Sequence, residues 1–213
     1  MPSEILLIPL GEVAAPLLAH LCEVLAMTFG CRCSIGEALP LPVSAFSACR
    51  NQYSARATLN RLDHREGTLT LGIVDVDLYV PELNFVFGLA DPTIQRAVIA
   101  LPRLRQEFYN LPKDERLFLA RAAKEAIHEL GHTAGLGHCN NRSCVMAFSN
   151  SLLDTDYEDI YALFEFARNL GYEEAQGGYL SKCHLCMDAR RYLALKGGFE
   201  ESTPREFYNH LAD

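Results

Sequence analysis

The sequence has no uninterrupted apolar stretch of about 18 residues, the length a helix needs to cross a bilayer, so no membrane span is expected. A secretory leader is not expected either. The opening MPSEILLIPLGEV is apolar, but it carries no basic residue at its start and is broken by Glu4 and Glu12. Basic side chains are scarce, 19 Lys and Arg against 27 Asp and Glu for a net charge of −8. That disfavours nucleic acid as a main partner, because phosphate contacts need a basic face. Internal repeats and low-complexity tracts are absent too. What remains is the expectation of a soluble cytoplasmic protein that works as a monomer, with 213 residues sufficing for one substantial domain.

The eight cysteines form two groups. Cys22, Cys31, Cys33 and Cys49 contain no C-x-x-C pair, and Cys31 and Cys33, alternating in a strand-like run, read as small core or surface residues. Cys139, Cys144, Cys183 and Cys186 are spaced as C-x4-C and C-x-x-C, which is metal-knuckle spacing.

Hydrophobic periodicity organises the chain into alternating strands and helices. Glu4–Gly11 reads as a buried strand, and 12–30 as a helix that Gly30 caps. CRCSIGEAL reads as a second strand, and SARATLNRLDHREG as a helix closed by Gly67. Three strand-like runs follow: TLTLGIVDVDLYV, NFVFGLADP and RAVIAL. The middle one is flanked by Pro81 and Pro92, which suits a sheet edge. A long helix is predicted over about 113–137, with Pro112 near its start, Asp114 and Glu115 in its first turn and glycines at its end. Two further helices are predicted in DTDYEDIYALFEFARNLGY and MDARRYLALKGG. The order implies an α/β (α+β) fold whose sheet lies in the N-terminal part.

The chemistry concentrates in HELGHTAGLGHCNNRSCVM, His128 to Met146. His128 and His132 are four apart on the predicted helix, so both rings leave one face within reach of one ion. Glu129 lies between them. In H-E-x-x-H sites this acid takes a proton from water on the metal. Gly135 allows the helix to end and the chain to turn, which returns His138 to the same ion. Three neutral imidazoles leave one coordination position open, as a catalytic zinc requires. Incidental histidines are a poor explanation, because the full pattern should occur by chance in on the order of one such chain in 10⁴.

Cys139 follows His138 directly. With Cys144, Cys183 and Cys186 it supplies four thiolates for a closed, structural zinc, the competing readings being disulfides or free thiols. His184, inside the C-x-x-C, reads as an exposed loop residue rather than a further ligand.

The pattern H-E-x-x-H-x-x-G-x-x-H followed by Met146 resembles the metzincin clan of zinc peptidases. With the adjoining C-x4-C and the later C-x-x-C it resembles the archaemetzincin family, over residues 4–198. The resemblance implies a metzincin-like zincin fold. A twisted mixed sheet with a long active-site helix would occupy residues 1–138, and a smaller, mostly helical or irregular subdomain 139–213, together one catalytic domain. It also implies two zinc ions: a catalytic one on His128, His132 and His138, and a structural one on Cys139, Cys144, Cys183 and Cys186. Met146 would be a hydrophobic floor under the metal, Glu129 the general base, and a peptide or protein the substrate. Two departures stand out. Residues 147–182 put 36 residues between Met146 and Cys183, where about 17 is usual in the family. Phe148 stands where some metzincins carry a tyrosine. They keep open a second class of function, a zinc-stabilised binding or regulatory protein with an occluded or weak site.

Overall fold

The structure is a computed structural model, and it describes residues 4–140, 144–148 and 156. In chain order the elements are β1 (Glu4–Leu10), α1 (Ala15–Phe29), β2 (Arg32–Ile35), β3 (Phe46–Ser47), β4 (Gln52–Ser54), α2 (Ala55–Leu59), β5 (Thr68–Val74), β6 (Leu78–Tyr79), β7 (Gly88–Asp91), β8 (Arg96–Ala100) and α3 (Glu115–Thr133). The α/β class expected from the sequence is the class observed. The chain divides into two units, Met1–Gly135 and Leu136–Asp213, and all these elements belong to the first. Among the described residues no helix is long and apolar enough to cross a membrane.

The main sheet has the strand order β2-β1-β5-β8-β7. Its first four strands are parallel, and β7 runs antiparallel to β8 at the edge. The strands β1 and β5 are buried on both faces, which is why β1 reads as a continuous apolar run. Alternation sends Leu6, Ile8, Leu10 and Val74 into a core with Ala55, Leu59 and Leu62. Ile5, Leu7, Leu71 and Ile73, all fully buried, take the opposite face. α3 packs on β5, β7 and β8 and also on α1, which in turn packs on β1 and β2.

Several elements differ from the sequence reading. α2 stops at Leu59, because the chain turns there (Leu62 N–H donates to the Leu59 carbonyl, 3.1 Å) and carries Leu62 into the core. TLTLGIVDVDLYV splits in two, β5 staying in the main sheet and β6 joining a small sheet β3-β4-β6. The break falls at Asp75–Asp77, whose carboxylates pair bidentately with Arg105 and Arg103 from the chain after β8. The edge strand begins at Gly88 rather than Asn84. Residues 84–87 are anchored otherwise: the Asn84 carbonyl accepts from Gln52, Val86 bridges Leu78, and Phe85 lies under the Arg103 guanidinium at 4.1 Å. The two C-terminal helices lie outside the described residues.

Candidate active site

α3 opens on Asp114, whose carboxylate accepts from the Leu117 N–H at 2.9 Å, so this residue caps the helix instead of lying in its first turn. The helix ends at Thr133, four residues short of the expected limit. Ala134 closes it with N–H bonds to the Leu130 and Gly131 carbonyls, and Gly135 follows at φ +92°. That left-handed value favours glycine and redirects the chain three residues before His138.

The buried face of α3 begins with Phe118, Ala122 and Ala126 and turns polar at Glu125, His128 and Glu129. His128 and His132 set their rings edge to face with centroids 4.6 Å apart, and their Nε2 atoms are 3.0 Å apart. Ligand nitrogens of His128, His132 and His138 all lie within 4.8 Å of one another. Three imidazole nitrogens this close together are a donor set that fits zinc. His138 is exposed, and its ring lies edge-on to Phe148 at 5.0 Å.

Glu129 is only 6% exposed. Burial holds its carboxyl well above the usual carboxylate range, and the charge of Glu125 and the hydrogen bond between the two carboxyls add to the effect. Glu125, one helical turn earlier, is pushed up to about 7 by burial, against the lowering influence of that hydrogen bond. From the sheet side, Gly88 of β7 lies against Glu129: a Cβ there would stand 2.6 Å from the Glu129 Cγ.

Sequence reasoning passed over Glu125 and Gly88, although each left a signal. Glu125 precedes Glu129 by four residues on the same helical face. Gly88 interrupts an apolar strand run, which often marks a close approach of backbone to something else.

In the second unit Cys139 and Cys144 are buried, and backbone hydrogen bonds link them to residues 146 and 147. The Cys139 N–H donates to the Met146 carbonyl at 2.8 Å, Cys139 bridges Ala147, and the Ala147 N–H donates to the Cys144 carbonyl at 2.8 Å. Met146 is buried as well. Cys183, His184 and Cys186 lie outside the described residues.

Comparison with known proteins leads to one family. The profile of peptidase family M54 matches residues 42–162. Archaemetzincin of Methanocaldococcus jannaschii is 42% identical over 159 residues, covering 75% of this chain and 88% of the relative. That of Pyrococcus furiosus is 44% identical over 167 residues, covering 73% and 86%. Among solved structures, archaemetzincin from Archaeoglobus fulgidus, complexed with malonate, is similar with a TM-score of 0.66 at 34% identity, over 74% of this chain and 93% of that one. A zinc-dependent peptidase from Methanocorpusculum labreanum gives a TM-score of 0.68 at 30% identity, over 74% and 94%. With the three-histidine cluster in place and relatives matched over most of their length, the chain belongs to peptidase family M54, the archaemetzincins, and is a zinc metallopeptidase.

Proposed function

We propose that the chain hydrolyses peptide bonds in peptide or protein substrates, with His128, His132 and His138 holding the catalytic zinc and Glu129 acting as general base and then general acid. The observation that carries this reading is the convergence of three ligand nitrogens within 4.8 Å on and just beyond the helix that bears Glu129. His128, His132 and His138 would hold the zinc, which when bound would supply a Lewis acid for the scissile carbonyl and a lowered pKa for the attacking water. Glu129 accepts the proton of that water and later delivers it to the departing amine. Its buried setting raises its proton affinity, which suits the delivery step.

β7 is the edge of the main sheet, with no neighbour on its outer side among the described residues. An extended substrate can add there as a further strand, held by main-chain hydrogen bonds. Cys139 and Cys144, joined by Cys183 and Cys186, hold a second zinc of structural role. The burial of Cys139 and Cys144, and their backbone bonds to Met146 and Ala147, support this reading. Met146, buried beside them in sequence, forms the apolar floor of the catalytic ion.

The test compares cleavage of a peptide library by the zinc-loaded chain and by Glu129→Ala. The variant should keep its zinc and lose about 10²- to 10⁴-fold in kcat, the range that positioned acid–base groups supply. Undiminished cleavage by the variant would refute the role of Glu129. Peptide binding without cleavage by either chain would favour a zinc-stabilised binding protein.

A further inference from the structure

A Cβ built on Gly88 would lie 2.6 Å from both Cγ and Oε1 of Glu129 and 2.8 Å from its Cδ, against the roughly 3.5–4.0 Å at which carbon atoms pack. The obstacle is purely steric. Gly88 is not among the positive-φ glycines, which are Gly11, Gly30, Gly67 and Gly135, so its backbone suits any residue. The three nearest atoms all belong to the Glu129 side chain and none to backbone. An added methyl group would therefore displace the carboxyl before it disturbed the sheet. One helical turn away, Glu125 hydrogen-bonds the same carboxyl.

We infer that Gly88 is a positioning residue for Glu129: the bare backbone of the edge strand is the wall against which that carboxyl is set. The inference rests on the reading of Glu129 as the general base. It also makes one strand serve two purposes, since β7 offers its edge to substrate while its helix-facing side fixes the base. A misplacement of about 1 Å can lower a rate by about 10²-fold, so the register of Gly88 bears directly on turnover.

The experiment is a double-mutant cycle with Gly88→Ala, Glu129→Ala and the pair, using the zinc-loaded full chain. Gly88→Ala is expected to lower kcat by about tenfold or more, with KM within about twofold and zinc content unchanged. Its thermal midpoint should fall by a few degrees in the native background and not in the Glu129→Ala background, where the obstructing atoms are gone. If Gly88→Ala folds only when Glu129→Ala accompanies it, that rescue is the same coupling. A smaller loss of kcat, an effect carried by KM, or equal thermal shifts in both backgrounds overturns the inference. Failure of the general-base reading shows itself separately, as full kcat in Glu129→Ala alone with the thermal coupling intact.

Discussion

Glu125 and Glu129 share one buried face of α3, and their burial ties the protein's stability to pH. Both carboxyls have their pKa raised by burial above the unfolded value. Between the ordinary glutamate value and about 7 for Glu125, the folded state therefore binds more protons than the unfolded chain. Stability must then fall as pH rises through that window. Glu125→Gln keeps the shape of the protonated acid and cannot ionise. In the metal-free chain it should be nearly neutral at pH 5 and stabilising at pH 8, by on the order of 1–3 kcal/mol given 1.36 kcal/mol per pKa unit. Urea denaturation at the two pH values reads the difference, and equal effects at both would show that Glu125 does not carry it. At this scale the histidine cluster is legible in the sequence, because a spacing of four on a helix puts His128 and His132 on one face. The partner acid is not, since an i−4 glutamate is common on exposed helices and only burial makes it consequential.

α3 and β7 bring the site together at the level of elements, and each was read with its limits displaced. The helix extends in sequence pattern to about 137, yet it stops at Thr133, because Gly135 takes a left-handed conformation and turns the chain toward His138. A Cβ on Gly135 would meet nothing within 4 Å, so any penalty for a side chain there is conformational. Gly135→Ala should lower stability by about 1–2 kcal/mol, the usual charge for holding a non-glycine residue in that region. It should also weaken zinc binding by on the order of tenfold, measured by competition with a chelator, since relief of the strain would move His138 relative to the helix. Unchanged stability and zinc affinity would show that the turn accepts a side chain. The edge position of β7 was readable from its flanking prolines. Its start at Gly88 was not, because residues 84–87 are held by Gln52, Leu78 and Arg103, all distant in sequence.

For the whole molecule the deciding quantity is the number of metal ions. Two zinc ions per chain are expected in metal-replete protein, and Cys144→Ser should reduce the content to one. The thermal midpoint should drop by several degrees in that variant, because metal that binds only the folded chain adds its binding energy to folding. Cys144 is the better choice than Cys139, which adjoins His138. Two zinc ions retained in Cys144→Ser, or one in the native chain, would exclude the closed four-thiolate site. Glu129→Ala, by contrast, removes no ligand and should keep both ions.

Sequence by itself pointed to the family, and it marked His128, His132 and His138 as one group, which the fold brings within 4.8 Å of one another. These follow from helical spacing, a turn-forming glycine and the order of Cys and His along one short segment, and local geometry alone specifies them. It also determined the interior strand β1, whose run Ile5–Leu10 is apolar throughout and is buried on both faces. Tertiary structure alone decided where the run after Thr68 breaks, because the Asp75–Arg105 and Asp77–Arg103 pairs join segments about thirty residues apart in sequence. It alone decided, too, that Glu125 and Gly88 close around Glu129. Those two contacts depend on how a helix lies against an edge strand, and no pattern within either element encodes that.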